Sequence, residues 1–147
     1  MSTHASRDTT TGLRFEQYAH LTMDSNYINV TKHDLYKYLT SKNINWKTLL
    51  SKKLLPDEAY FNEQTKELLI YEKKFQQTNG SVDEKPQTCA FKIFEFRKIG
   101  SALGATTVKY TYIFNDWFKQ PKYKDMLDYI KTVDGCDYIF WENSSST

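Results

Sequence analysis

Residues Leu54 to Gln77, LLPDEAYFNEQTKELLIYEKKFQQ, constrain the fold more than any other stretch of this chain. Two short apolar runs, Ala59 to Phe61 and Leu68 to Tyr71, flank a polar turn from Asn62 to Lys66. Short aromatic and aliphatic runs around a polar turn read as a β-hairpin, here over residues 55–61 and 67–76. Side chains alternate along a strand. Leu68, Ile70, Glu72, Lys74 and Gln76 therefore share one face, and Leu69, Tyr71, Lys73 and Phe75 the other. If Phe61 pairs with Leu68, Asp57 stands opposite Glu72, with Cβ atoms about 5 Å apart. A slip of one residue sends Asp57 to the wrong face.

That geometry has chemical content. Two carboxylates this close suit Mg²⁺, with Mn²⁺ as a substitute, because hard cations take oxygen ligands and keep several waters. A metal there polarises a phosphodiester and lowers the pKa of a bound water. Lys74 beside it positions that water or offsets transition-state charge. The triplet alone is weak. An acid two residues before a lysine occurs twice in the chain, at Glu72–Lys74 and Asp83–Lys85, which is about what chance supplies for 18 acids. Only the first closes an apolar strand that follows a Pro-Asp pair.

The rest of the chain supplies covering elements. Leu13 to Met23 reads as a first helix, and Thr31 to Ser41 as a second. In the second, Thr31 is the cap, Asp34 its capping-box partner, and Leu35, Tyr38 and Leu39 the apolar stripe. Asn43 to Leu50 alternates like a strand at Ile44, Trp46 and Thr48, with a helical turn as the other reading. Ser81 to Glu84 is a capping box opening a helix that runs to about Ile99, with Pro86 as an alternative start. Cys89, Ile93, Phe96 and Ile99 or Gly100 form its inner side. Thr106 to Phe114 is a strand whose Tyr110, Tyr112 and Phe114 share one face, read as core packing with base stacking as the alternative. A helix from Pro121 to about Val133 buries Met126, Leu127, Tyr129, Ile130 and Val133, and Gly135 is its C-cap. Cys136 to Trp141 is a last strand.

At 147 residues the chain reads as one domain over 13–143, with a disordered lead-in at 1–12 and a flexible tail at 144–147. No apolar run reaches the roughly 20 residues that span a bilayer, and the N-terminus lacks an apolar signal core. The expectation is a cytoplasmic protein without a membrane partner, its Cys89 and Cys136 buried free thiols. Net charge is only +2, yet six lysines lie between Lys32 and Lys53 against one acid, Asp34. Lys47, Lys52 and Lys53 of this segment, with Lys119 and Lys122 further on, are candidate phosphate-backbone contacts. The three histidines are scattered, and there is no phosphate loop, dinucleotide glycine fingerprint or nucleophile elbow.

Pro56-Asp57 followed by Glu72-Lys73-Lys74 resembles the signature of the PD-(D/E)xK nuclease superfamily. The resemblance implies an α/β (α+β) restriction-endonuclease-like core, with a mixed central sheet flanked by helices. The chain order would be α-α-(β)-β-β-α-β-α-β, with Asn43 to Leu50 supplying the first strand. It implies that Asp57 and Glu72 are metal ligands, that Lys74 is the catalytic lysine, and that the Lys73 backbone carbonyl is a further ligand. Glu16 from the first helix and Gln76 after the triplet are the supporting residues it suggests. The activity implied is Mg²⁺-dependent hydrolysis of DNA, leaving 5′-phosphate ends. A homodimer is expected, because cutting both strands takes two sites. A restriction-type enzyme and a Holliday-junction or other structure-specific nuclease both fit. A noncatalytic DNA-binding or interaction module on the same fold is the alternative from another class.

Overall fold

The computed structural model describes residues 23–78 and 85–141. The elements in chain order are β1 (Tyr27–Asn29), α1 (Asp34–Ser41), β2 (Glu58–Asn62), β3 (Glu67–Lys74), α2 (Cys89–Ala102), β4 (Thr107–Phe114), α3 (Lys124–Thr132) and β5 (Cys136–Phe140). The five strands form one mixed sheet in the order β1-β2-β3-β4-β5. β1 pairs antiparallel with β2, and β2 antiparallel with β3. β4 runs parallel to β3, and β5 parallel to β4. Parallel neighbours need a crossover, and α2 and α3 supply the two required. A mixed α/β sheet with flanking helices is thus the architecture. Among the described residues, no helix is long and apolar enough to cross a membrane.

The hairpin forms in the expected register, with Phe61 paired to Leu68 and Glu58 to Tyr71. Pro56 and Asp57 lie just before the ladder, where the Pro56 carbonyl accepts the Lys32 N–H at 3.0 Å. The first strand is not Asn43 to Leu50. It is Tyr27–Asn29, whose Ile28 pairs with Phe61. Trp46–Thr48 is instead a short 3₁₀ turn. Its alternating pattern loses to local chemistry: the Asn45 side chain accepts the Lys47 N–H at 3.1 Å, a turn that competes with a strand ladder. Trp46 then packs edge-on against Tyr36, with ring centroids 5.8 Å apart.

Helix α1 also starts later than expected. Thr31 does not cap it, because its hydroxyl accepts the Ala59 N–H of β2 at 3.2 Å. Position 33 precedes the helix without a side-chain cap, and Leu35, Tyr36 and Leu39 are the buried residues. Tyr38, assigned to the core stripe, is only partly buried and rests on Phe61. Residues 13–22 of the expected helix over 13–23 and the capping box at 81–84 lie outside the described residues, as do the lead-in and the tail. After a 3₁₀ turn at Lys85–Thr88, α2 buries Cys89, Ile93, Phe96, Ile99 and Gly100 as its spacing predicts. In α3, Met126 and Ile130 are buried, but Tyr129 is exposed. Gly135 is not the C-cap, a position Val133 holds. Its φ of +84° turns the chain into β5.

One core unites these elements. Leu35 and Leu39 of α1, Ile93, Phe96 and Ile99 of α2, and Met126 and Ile130 of α3 join Ala59, Phe61, Leu68, Ile70, Tyr110, Tyr112 and Phe114. All three helices therefore pack on a single face of the sheet. Rings of Phe96, Tyr110, Tyr112, Phe114 and Phe118 follow one another through this core, with centroids 4.5–5.8 Å apart. On the opposite face Tyr60, Leu69 and Ile113 are buried as well.

Candidate functional site

Strand alternation carries Leu68 and Ile70 into the helix-covered core, so Glu72 and Lys74 continue the same face toward the strand's end. Asp57 stands on the residue before β2, opposite Glu72 when the observed register is extended by one pair. Side chains replace the ladder there. The Lys73 N–H donates to Asp57 Oδ2 at 2.8 Å. The Asp57 N–H donates to the Glu72 carboxylate, and the two carboxyl groups are themselves hydrogen-bonded. The first expectation is thus met in geometry: Asp57 and Glu72 touch at the open end of the hairpin.

The electrostatics follow from that contact. Burial and then the adjacent Asp57 charge push the Glu72 carboxyl up to about 9, against a smaller opposing pull from Lys74. Burial and the neighbouring carboxylate thus favour the protonated form of Glu72 beside Asp57. Two carboxyls in contact at a sheet rim form a centre short of positive charge. A divalent cation would supply that charge, and one or two carboxylates plus waters are an ordinary Mg²⁺ set. The donor chemistry fits. No group of three or more Asp, Glu, His or Cys gathers among the described residues, so the two carboxylates are the acidic donors there.

The other sequence-nominated residues divide. Lys74 is half-buried and near enough to Glu72 to lower its pKa. Lys73 turns its side chain to the opposite face, where it pairs with Glu58 at 3.0 Å, both nearly fully buried. Gln76 does not reach the carboxylates through its side chain, whose amide donates to the Thr78 carbonyl. Glu16 lies outside the described residues. Lys47, Lys52 and Lys53 are exposed on the segment that leads into Asp57. Lys53 lies over the rings of Tyr36 and Trp46. Lys119 and Lys122 follow β4 at the sheet end that carries Lys74, whose register partner is Phe114. Lys119 pairs with Asp116 at 3.1 Å, and Lys122 lies over Trp117 and Tyr123.

One contact escaped the sequence reading. Asn115 clamps the exit of β3: its Oδ1 accepts the Gln76 N–H at 3.1 Å, and its Nδ2 donates to the Gln76 carbonyl at 2.8 Å. An asparagine directly after a strand was the available signal, but its partner lies 39 positions earlier. Tyr112, read from the sequence as a core residue, is buried and is paired in register with Glu72. No family model matches the sequence, and neither the curated proteins nor the solved structures contain a match.

Proposed function

We propose that this protein is a metal-dependent endonuclease that hydrolyses DNA phosphodiester bonds on a restriction-endonuclease-like core. The observation that carries the reading is the contact of Asp57 with Glu72, with Lys74 on the same face. A hairpin, a crossover helix and a strand parallel to the hairpin's second strand also support it. Asp57, Glu72 and the Lys73 backbone carbonyl would hold Mg²⁺, or Mn²⁺ in its place. Bound there, the ion supplies Lewis-acid polarisation of the phosphodiester and a more acidic water. Asp57 is held in place by the Lys73 N–H. Lys74 orients the attacking water and offsets charge on the pentavalent transition state. Lys47, Lys52, Lys53, Lys119 and Lys122 attract the phosphate backbone. Two copies acting together cut both strands of a duplex, in the cytoplasm.

The test is incubation with supercoiled plasmid and with a four-way junction in Mg²⁺, Mn²⁺ or EDTA. Metal-dependent nicking is expected, falling at least about 100-fold in Asp57→Ala and in Lys74→Ala. Preference for plasmid or junction separates a restriction-type from a structure-specific enzyme. Activity that survives both substitutions overturns the site. DNA binding without cleavage of any substrate leaves a noncatalytic module.

A further inference from the structure

Helix α2 is apolar on both sides, and only one side is used by the core. Its outer side carries Phe91 and Phe94, which are 59% and 54% exposed. Burying a phenylalanine is favourable, so the fold leaves that gain largely unused twice on adjacent turns. The two rings lie nearly parallel, 27° apart, with centroids separated by 6.3 Å. Lys98, one turn further, places Nζ 4.7 Å from the Phe94 centroid. Lys85 and Lys98 are exposed and Lys92 is half-exposed. The helix's one acid, Glu95, is turned inward and buried. Among the described residues, the outer face of α2 therefore combines flat aromatic surface with positive charge and carries no anion of its own.

We propose that this face of α2 is a stacking platform for the unpaired bases of single-stranded nucleic acid. Aromatic rings stack on bases of any sequence, and flanking cations track the phosphates. Charge argues against a second copy of this chain as the occupant. An α2–α2 contact would bring Lys92 and Lys98 of both copies together with no exposed acid on either helix to offset them. Location argues for a link to the candidate site. Thr88 and Cys89, at the start of α2, lie against Tyr112, and Tyr112 is the register partner of Glu72. The platform thus begins at the sheet end that bears Asp57, Glu72 and Lys74. It would hold a strand that is unpaired beside the bond being cut. The nucleic-acid partner rests on the nuclease reading; the stacking geometry stands by itself.

The test measures binding and cleavage separately. Fluorescence anisotropy in EDTA compares an oligothymidylate of roughly 20 nucleotides with a duplex of equal length. Wild type is expected to bind the single strand more tightly. The double substitution Phe91→Ala/Phe94→Ala should weaken oligothymidylate binding at least about tenfold and duplex binding by less than about threefold. Phe94→Trp should retain affinity, and Lys98→Gln should reduce the salt dependence. Equal oligothymidylate affinity in wild type and double variant overturns the proposal, as does absence of binding by wild type. A loss of dimer in the double variant by sedimentation also overturns it, and assigns the face to self-association. Cleavage in Mg²⁺ by wild type and Asp57→Ala, run alongside, tests the nuclease reading without reference to α2.

Discussion

Asp57 and Glu72 cannot both ionise cheaply at hydrogen-bond distance. A raised Glu72 carboxyl is the consequence, and it sets a pH dependence. Below about pH 9 a cation must displace the carboxyl proton, so Mg²⁺ affinity should rise with pH and level off near 9. Proton release by titration calorimetry in buffers of different ionisation enthalpy checks this, and Glu72→Gln should abolish the release. The stability sign runs the other way without metal. A raised carboxyl stabilises the fold fully below the ordinary carboxylate range and loses that contribution as pH climbs toward 9. The metal-free protein should therefore lose stability over that interval relative to Glu72→Gln, and Mg²⁺ should reverse the loss. A second residue-level device sits on the other sheet face. Lys73→Met should cost about 3–5 kcal/mol in urea denaturation by stranding buried Glu58, and Glu58→Leu in the same chain should recover much of it. Alternation made Lys73 legible as facing away from the site. Its partner was not legible, because Glu58 lies on another strand.

Among the elements, the hairpin was the most readable, since turn, alternation and apolar length agree over one short stretch. Only its end required the fold. Asn115 reaches back from the end of β4 to hold the backbone of Gln76. Asn115→Ala should speed hydrogen exchange at the Gln76 amide and cost about 1–3 kcal/mol, because buried backbone groups lose both partners. The entry to β5 is equally specific. Gly135 has φ +84°, and a Cβ there would lie 2.4 Å from Ile93 Cδ1. Gly135→Ala should destabilise by about 2–4 kcal/mol in thermal melts, combining backbone strain with overpacking. The first strand was misread because Ile44, Trp46 and Thr48 alternate as strands do. The chosen strand, Tyr27–Asn29, is only three residues long and carries too little pattern to announce itself.

For the whole molecule, one helix-covered core is the organising fact. Cys89 from α2 and Cys136 from β5 meet inside it, the Cys136 thiol donating to the Cys89 carbonyl at 3.6 Å. Burial pushes the Cys136 thiol up to about 12 and raises Cys89 as well. Both should resist a thiol reagent at pH 8 in the folded protein and react at once in denaturant, since the thiolate is the nucleophile.

The sequence by itself determined the hairpin, the inner face of α2 and the side of β3 on which Glu72 and Lys74 stand. Each of these is a local periodicity, and local periodicity is set by backbone geometry. Only the tertiary structure decided which segment became the first strand, that all three helices share one sheet face, and how Asn115 and Glu58 find their partners. Those outcomes depend on contacts between residues far apart in the chain, where burial and hydrogen bonding outweigh short-range preference.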